Sequence, residues 1–321
     1  MAARIIRFQE AINKYMITKS NFLADDNVNS MAPDFDYFVS IVFLSVVNSQ
    51  KNKTTVSISS GYVMACGLEF ITQMVRMNDR AYKYRKDMGQ NKYNRIMMTY
   101  DHLAIYSMSK NVEQIYQLTN KDKVMKIYNI CLKYMIDKLM NIMDTELFET
   151  TNEYITKTDV IRYDFKIDNP KKKLMGIKQA KQDKLLEWVK RKYGSLMSVA
   201  FVMSWMLTRN DDKMIPQLET IANHFGVMYK IVYDFEHLES DLNNATDISS
   251  NMVINYGIQD MFELYNESKV RFIEGCIMME MYSNTIKEVI DVMETKIDHI
   301  LDNTDVDMRS HLTLKATNGS S

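Results

Sequence analysis

Glycine and proline, the two residues that most often interrupt regular structure, are unusually rare in this sequence. Its 321 residues include 3 prolines and 9 glycines, whereas ordinary usage is about 5% and 7% respectively. Few positions are therefore reserved for breaks and tight turns. Apolar residues recur at helical spacing through most of the length. The sequence predicts an all-α protein.

The size and charge of the chain limit the domain organisations and the classes of partner that we expect. A hydrophobic content of 46% supplies a substantial core, and about 300 residues is near the size at which one core stops growing. We expect one helical domain over 1–302, an irregular insertion at 148–178 and a disordered polar tail at 303–321. A formal net charge of -1 provides no global basic field, so we expect no nucleic-acid partner. No apolar run reaches the roughly 18 residues of a membrane span.

The three cysteines, Cys66, Cys131 and Cys276, are widely spaced and lack the paired spacing of zinc sites. We interpret them as core thiols in a reducing compartment and predict a cytoplasmic protein. The sequence also lacks a Gly-x-Ser-x-Gly elbow, a glycine-rich phosphate loop and a His-Glu-x-x-His pair. Their absence disfavours the enzyme classes that those motifs define.

Periodicity predicts eight to ten helices. Asp34 or Asp36 is expected to cap the first, and Pro216 suits the first turn of a later one. The predicted helical runs cover about 34–48, 61–86, 93–118, 121–147, 178–209, 215–239, 250–267 and 269–301.

The most distinctive motif lies within HFGVMYKIVYDFEHLESD, residues 224–241. Gly226, Tyr229 and Lys230 form a Gly-x-x-Tyr-Lys step, and Tyr-Asp-Phe-Glu-His follows at 233–237. This arrangement resembles the trans-isoprenyl diphosphate synthases, in which Gly-x-x-Phe-Gln precedes an Asp-Asp-x-x-Asp motif. Of the three aspartates in that family motif, this sequence keeps only the second, at Asp234.

The resemblance extends over about 60–280. Upstream, Glu69 stands ten residues before Asp79, as a glutamate does before the family's first aspartate motif, but Asp79 is the only carboxylate left there. Lys192, in KYGSLMSVAFVMSWML, maps onto a Lys-Thr-x-x-Leu element that contacts diphosphate in the family.

The resemblance implies an isoprenoid synthase-type helical bundle that binds prenyl diphosphates. In the family, magnesium held by aspartates on two helices makes the diphosphate a leaving group. The metal ligands that the resemblance implies are Asp79 and Asp234, and Asp241, on the same helical stripe as Asp234, is a possible helper. Together they suit one weakly bound magnesium ion. The diphosphate-binding residue that the resemblance implies is Lys192. Lys230 is a further candidate, as are Arg76, Lys83 and Lys86, which make basic a helix face that is acidic in the family. His237 is a candidate ligand or base.

Each candidate also has a structural interpretation. Arg76, Asp79, Lys83 and Lys86 are spaced by three and four residues and so share one helix face. This face either binds a diphosphate directly or carries surface ion pairs worth a few tenths of a kcal/mol each. Lys230 and Asp234 are four residues apart and suit an ordinary helical ion pair. A lone histidine such as His237 more often has no catalytic role.

Three functions remain open at this point. The first is a diverged homologue with reduced or lost chain elongation that binds a prenyl diphosphate or pairs with an active subunit, since the resemblance implies a homo- or heterodimer. The second is an active magnesium-dependent prenyltransferase or terpene synthase with unusual metal ligands. The third is a non-catalytic helical structural or interaction protein. The 27 methionines are typical of an AT-biased genome, such as that of a large DNA virus that encodes diverged members of the family.

Overall fold

The computed structural model describes residues 6, 10, 36–50, 58–116, 121–151, 178–179, 182–209, 211–244, 248–249 and 251–303. These residues form twelve α-helices and two short strands. The helices are α1 (Phe38–Ser49), α2 (Ile58–Asp79), α3 (Ala81–Met88), α4 (Gln90–Tyr116), α5 (Lys121–Thr151), α6 (Gln182–Val189), α7 (Ser195–Thr208), α8 (Ile215–Glu236), α9 (Leu238–Asn244), α10 (Met252–Tyr256), α11 (Ile258–Met278) and α12 (Asn284–Asn303).

Two irregular helical turns and one strand pair complete the described secondary structure. A π-helical turn, Lys190–Gly194, joins α6 to α7, and a 3-10 turn, Asp212–Met214, precedes α8. Strand β1 (Lys178–Gln179) pairs in parallel with β2 (Ile248–Ser249). The prediction of an all-α protein is confirmed.

The chain divides into two compact units. The first comprises Met1–Asp137, Val199–Ile215 and Glu280–Val289, and the second comprises Lys138–Ser198, Pro216–Met279 and Ile290–Ser321. Each unit draws on three separate stretches of sequence. The single domain expected over 1–302 stays a prediction.

The first unit is built around α1, α2 and α4. Every residue of α1 from Phe38 to Val47 is buried, because the run FVSIVFLSVV has an apolar or small side chain at each position. Ser40 donates to the Ala65 carbonyl oxygen of α2 at 2.8 Å. Asp36 Oδ1 accepts from the Phe38 amide at 3.1 Å, so one of the two predicted capping aspartates does satisfy the start of α1.

The second unit contains α8, whose residues from Phe225 to Phe235 are all buried. Phe225 packs against Phe272 of α11 with ring centroids 5.0 Å apart. A methyl group added at Gly226 would lie 2.8 Å from the Gly194 nitrogen, so α8 and the π-helical turn approach backbone to backbone. Glycine is required there because no side chain fits.

Two predicted helix boundaries are wrong. The run expected over 61–86 is interrupted at Arg80, so Asp79 ends α2 and Ala81 begins α3. The break expected near residue 268 is absent, because α11 continues to Met278 and Ser268 is buried within it. Interruptions of this kind also account for the larger number of helices.

The break after α11 depends on contacts distant in sequence. Glu280 has a left-handed backbone, with φ of 57°. The Gln50 side-chain amide donates to the Glu280 carbonyl oxygen at 3.0 Å, and the Arg209 guanidinium donates to its carboxylate at 2.7 Å. No glycine or proline marks this turn, so local sequence gave no signal for it.

Parts of two sequence predictions fall outside the described residues. In the expected insertion at 148–178, residues 148–151 belong to α5 and Lys178 to β1, while 152–177 are not described. Of the expected tail, Asn303 closes α12, and 304–321 are not described. Among the described helices, none has the length and hydropathy to cross a membrane.

The three cysteines are buried free thiols, which confirms their interpretation as core residues. Burial raises the pKa of Cys66 and of Cys131 to about 12, and it raises the pKa of Cys276 further. All three therefore stay protonated at neutral pH, the form that is a poor nucleophile.

The backbone contact at Gly226 yields a testable consequence. We expect Gly226→Ala to lower the free energy of unfolding by about 1–3 kcal/mol, because the new methyl group must push two backbone segments apart. Gly61→Ala is the matched control, since its added carbon would lie 3.8 Å from the side chains of Leu44 and Val47. In a helix interior that change should stabilise by about 0.5–1 kcal/mol. Equal unfolding free energies for the two variants in urea would contradict the close approach.

Candidate functional site

The second unit contains a buried ion pair on α8. Lys230 Nζ lies 2.7 Å from Asp234 Oδ1, and the two side chains are 2% and 0% exposed. The other oxygen, Asp234 Oδ2, accepts from the Met252 amide at 2.8 Å. The helical pairing expected for Lys230 and Asp234 is confirmed, and both carboxylate oxygens are engaged.

Aromatic rings surround the ammonium group of this pair. Lys230 Nζ lies 5.4 Å from the ring centre of Trp188 and 5.5 Å from those of Tyr193 and Tyr233. Rings at this distance attract a cation through their negative faces, and more strongly where water is excluded. The aromatic shell therefore replaces part of the hydration that Lys230 loses by burial.

A second buried lysine shares the same indole. Lys192 is fully buried, and its Nζ lies 5.1 Å from the ring centre of Trp188. Lys192 belongs to the π-helical turn, a feature that often marks functional sites within helices. The turn thus brings two sequence candidates, Lys192 and Lys230, to one aromatic residue.

Asp241 connects to this site through an asparagine. The Asn251 side-chain amide donates to the Asp234 carbonyl oxygen at 2.9 Å and to Asp241 Oδ2 at 3.0 Å. Asn251 Oδ1 also accepts from the Ile254 amide at 3.2 Å, which caps α10. Asp234 and Asp241 are therefore joined by a shared donor.

His237 lies between α8 and α9, next to the same region. Its Nδ1 is 2.8 Å from the Tyr233 carbonyl oxygen, and the two rings are 4.4 Å apart. Because a carbonyl oxygen only accepts, Nδ1 carries the proton. That nitrogen is engaged with the backbone, which favours a structural role for His237 over a role as ligand or base through Nδ1.

The first unit contains its own buried charged cluster. Arg76 donates to Asp36 Oδ2 at 3.1 Å, and both side chains are 6% exposed. Glu69 is fully buried beside them, where its Oε2 is 2.7 Å from Ser40 Oγ and its Oε1 accepts from Gln73 at 3.3 Å. The cluster holds two acids and one base.

The oxygen–oxygen distances in this cluster favour a protonated Glu69. Ser40 has one hydroxyl proton, yet its oxygen lies within hydrogen-bonding distance of two acceptors, the Ala65 carbonyl oxygen and Glu69 Oε2. A proton on Glu69 satisfies both contacts. Burial, followed by the nearby Asp36 charge, raises the pKa of Glu69 to about 7.

The residues expected on one basic face are divided between two helices. Arg76 and the half-buried Asp79 lie at the end of α2, whereas Lys83 and the exposed Lys86 lie on α3. Arg76 is buried and forms an ion pair with Asp36, so it does not belong to a solvent-exposed basic face. Asp79 belongs to the first unit and Asp234 to the second, and the metal site that the resemblance implies for them stays a prediction.

The arrangement of Asp234 does not fit a magnesium ligand. Magnesium binds oxygen atoms at about 2.1 Å in octahedral geometry, whereas the two Asp234 oxygens already accept from Lys230 and the Met252 amide. Within either unit, the described residues contain no group of three His, Cys, Asp or Glu side chains suited to a metal ion. The metal roles of Asp79 and Asp241 remain predictions.

Sequence reasoning missed several residues of these clusters. Trp188 and Asn251 had no motif to mark them, and Tyr193 was quoted only as part of the Lys192 segment. Ser40 and Gln73 were also missed, although Gln73 follows Glu69 by four residues, a spacing that places side chains together on a helix. A search for polar residues within predicted core faces would have found this pair.

Comparison with solved structures identifies the architecture. A geranyltranstransferase from Thermotoga maritima matches with a TM-score of 0.61 and 13% identity, over 92% of this chain and 98% of that one. A geranyltransferase from Legionella pneumophila matches with a TM-score of 0.58 and 9% identity, over 93% and 95%. The chain has the isoprenoid synthase fold.

A third match agrees with this assignment. An FPP/GFPP synthase from Zymomonas mobilis aligns with a TM-score of 0.55 and 9% identity, over 92% of this chain and all of that one. No protein-family model matches the sequence, and no curated protein does so either. At such low sequence identity the structural matches establish the fold alone, and they do not establish the chemistry.

The protonation of Glu69 predicts a pH dependence of stability. The pKa of Glu69 is raised to about 7 in the folded state. Its contribution to the free energy of unfolding is therefore complete below the unfolded pKa of about 4.3 and is lost as pH rises through about 7. We expect stability to fall by an amount on the order of 1–3 kcal/mol across this range, and Glu69→Gln to remove that fall.

Urea unfolding from about pH 5 to pH 8 measures the difference between wild type and Glu69→Gln. Glu274→Gln, at an exposed position of α11, is the control and should keep the wild-type profile. An unchanged profile in Glu69→Gln would show that Glu69 is ionised throughout.

Proposed function

We propose that this protein is a diverged homologue of trans-isoprenyl diphosphate synthases with reduced or lost chain-elongation activity, and that it binds a prenyl diphosphate or an active subunit. The isoprenoid synthase fold supports the relationship. The engagement of both Asp234 oxygens by Lys230 and the Met252 amide carries the functional part of the proposal.

The chemistry explains why that observation matters. Elongation requires an allylic diphosphate to leave, and hard cations bound by carboxylates stabilise the negative charge that develops on it. Asp234 is the one aspartate that survives at the second motif, and its charge is compensated by Lys230 within 2.7 Å. The charge of the carboxylate at the position where the resemblance implies a metal ligand is already compensated, which supports the proposal.

Binding of a diphosphate remains chemically reasonable without that metal. Within the first unit, α3 carries Lys83 and presents the exposed Lys86. Ammonium groups bind phosphate oxygens through charge-assisted hydrogen bonds. These residues support recognition of an anion better than they support its departure as a leaving group.

The dimer implied by the resemblance stays a prediction, with one observation in its favour. Met98 and Ile105 of α4 are 61% and 62% exposed and lie two helical turns apart. Ile136, Met140 and Met143 of α5 are also exposed at 49%, 53% and 62%. Larger contiguous apolar patches on a surface mark protein interaction sites, and these exposed side chains are compatible with one.

The first test is turnover. Purified protein given isopentenyl diphosphate, an allylic diphosphate and magnesium should form little or no elongated product, because the leaving group lacks its set of metal ligands. Product analysis by chromatography, with an active isoprenyl diphosphate synthase as the positive control, measures this directly.

Robust turnover would refute the loss of activity and favour the active-enzyme alternative. In that case Asp79→Ala and Asp234→Ala should each abolish product, since each would be the main metal ligand of its motif. Retention of turnover in both variants would show that the reaction uses other residues.

The second test is binding of a prenyl diphosphate by calorimetry. If lysines supply the counter-charge, affinity should be similar with magnesium and with a chelator, and it should weaken as salt rises. Lys83→Glu should lower affinity by more than the few tenths of a kcal/mol expected for the loss of a surface ion pair.

Lys133→Glu is the matched control, because Lys133 is an exposed lysine of α5 in the same unit and no diphosphate role is assigned to it. Equal affinities for the two variants would remove Lys83 from the proposal. Absence of binding in both conditions would leave the non-catalytic structural protein as the better account.

A further inference from the structure

A cation of the protein itself contacts Asp234, the carboxylate at which the resemblance implies a divalent metal. Lys230 Nζ lies 2.7 Å from Asp234 Oδ1, and the ammonium and carboxylate are carried four residues apart on α8. The cation is therefore covalently tethered, always present, and independent of metal concentration.

The surroundings of Lys230 are suited to keeping this cation charged. Three aromatic rings lie 5.4–5.5 Å from its nitrogen, and Asp234 provides the opposite charge. A divalent ion at Asp234 would have to displace the ammonium or lie beside it in a region with almost no exposure to water. Repulsion between the two cations is poorly screened there.

The second oxygen of Asp234 is also committed. Met252 donates its amide to Oδ2 at 2.8 Å, and Asn251 donates to the Asp234 carbonyl oxygen at 2.9 Å. These bonds join the end of α8 to the start of α10, so moving Asp234 toward a metal would break the connection between two elements. The hydrogen bonds of Asp234 and the charge of Lys230 thus both oppose the binding of a metal ion at this carboxylate.

We propose that Lys230 is a built-in replacement for a metal ion, which neutralises Asp234 permanently and closes this position to divalent cations. The inference deepens the proposed function and rests on it for the meaning of the Asp234 position. It assigns the loss of metal binding to a particular side chain, Lys230, as well as to the missing aspartates.

The experiment uses Mn²⁺ as the probe. Binding is measured by the electron paramagnetic resonance of free Mn²⁺ and by the shift of the thermal unfolding midpoint, in wild type, Asp234→Asn, Lys230→Gln, Lys230→Arg and the double variant Lys230→Gln/Asp234→Asn. We expect wild type and Asp234→Asn to bind Mn²⁺ equally, because Asp234 contributes no site.

The Lys230 variants test the replacement itself. Lys230→Gln should unfold at a lower temperature than wild type without metal, and Mn²⁺ should restore part of the loss. Lys230→Arg keeps a cation and should not respond to Mn²⁺. The double variant exchanges the ion pair for a neutral pair, so it should lose the response to Mn²⁺.

Two results would overturn the inference. One is Mn²⁺ binding to wild type that Asp234→Asn loses, a comparison that decides the matter even if Lys230→Gln does not fold. The other is a folded Lys230→Gln that ignores Mn²⁺. Failure of the proposed function would instead appear as product formation or as absent prenyl diphosphate binding, measurements that do not depend on Mn²⁺ at Asp234.

Discussion

The Asp234 carboxylate receives one hydrogen bond from its own helix and another from the first amide of α10. Removing two ions from water costs several kcal/mol each, and the cost is recovered only where geometry and hydrogen bonding are good. Here the aromatic rings and the amide of α10 complete that environment. The pair therefore fixes the end of α8, the start of α10 and the position of Trp188 together, and a change in one partner leaves the other as an uncompensated buried charge.

Each unit contains an aspartate whose two carboxylate oxygens accept hydrogen bonds from within the protein. In the first, Asp36 accepts from Arg76 and from the start of α1. In the second, Asp234 accepts from Lys230 and from the start of α10. Each aspartate joins a basic side chain to a helix terminus, where exposed amides favour negative charge. Carboxylates committed in this way stabilise the polar interior and are less available for binding a metal from solution.

The fold was largely predictable because its signals are local and repeated. Scarce glycine and proline, helical periodicity and the Gly226 step are all visible in the sequence, and Gly226 proved to be a point where no side chain fits. The site was less predictable. The Lys230–Asp234 pair followed from spacing, but its burial and its bond to Met252 depend on residues 18 positions away. The interruption at Arg80 and the turn at Glu280 also depend on packing, which composition does not encode.

The π-helical turn at Lys190–Gly194 affects how this protein is compared with others. A π turn accommodates one more residue than an α turn, and each residue rotates a helix by about 100°. An alignment that assumes an unbroken α-helix through α6 and α7 therefore misplaces every side chain on one side of the turn. A shift of one position would assign the partly exposed Arg191 to the buried place of Lys192. Deleting one residue here would restore the α-helical register and rotate Trp188 by about 100° relative to the residues that follow the turn.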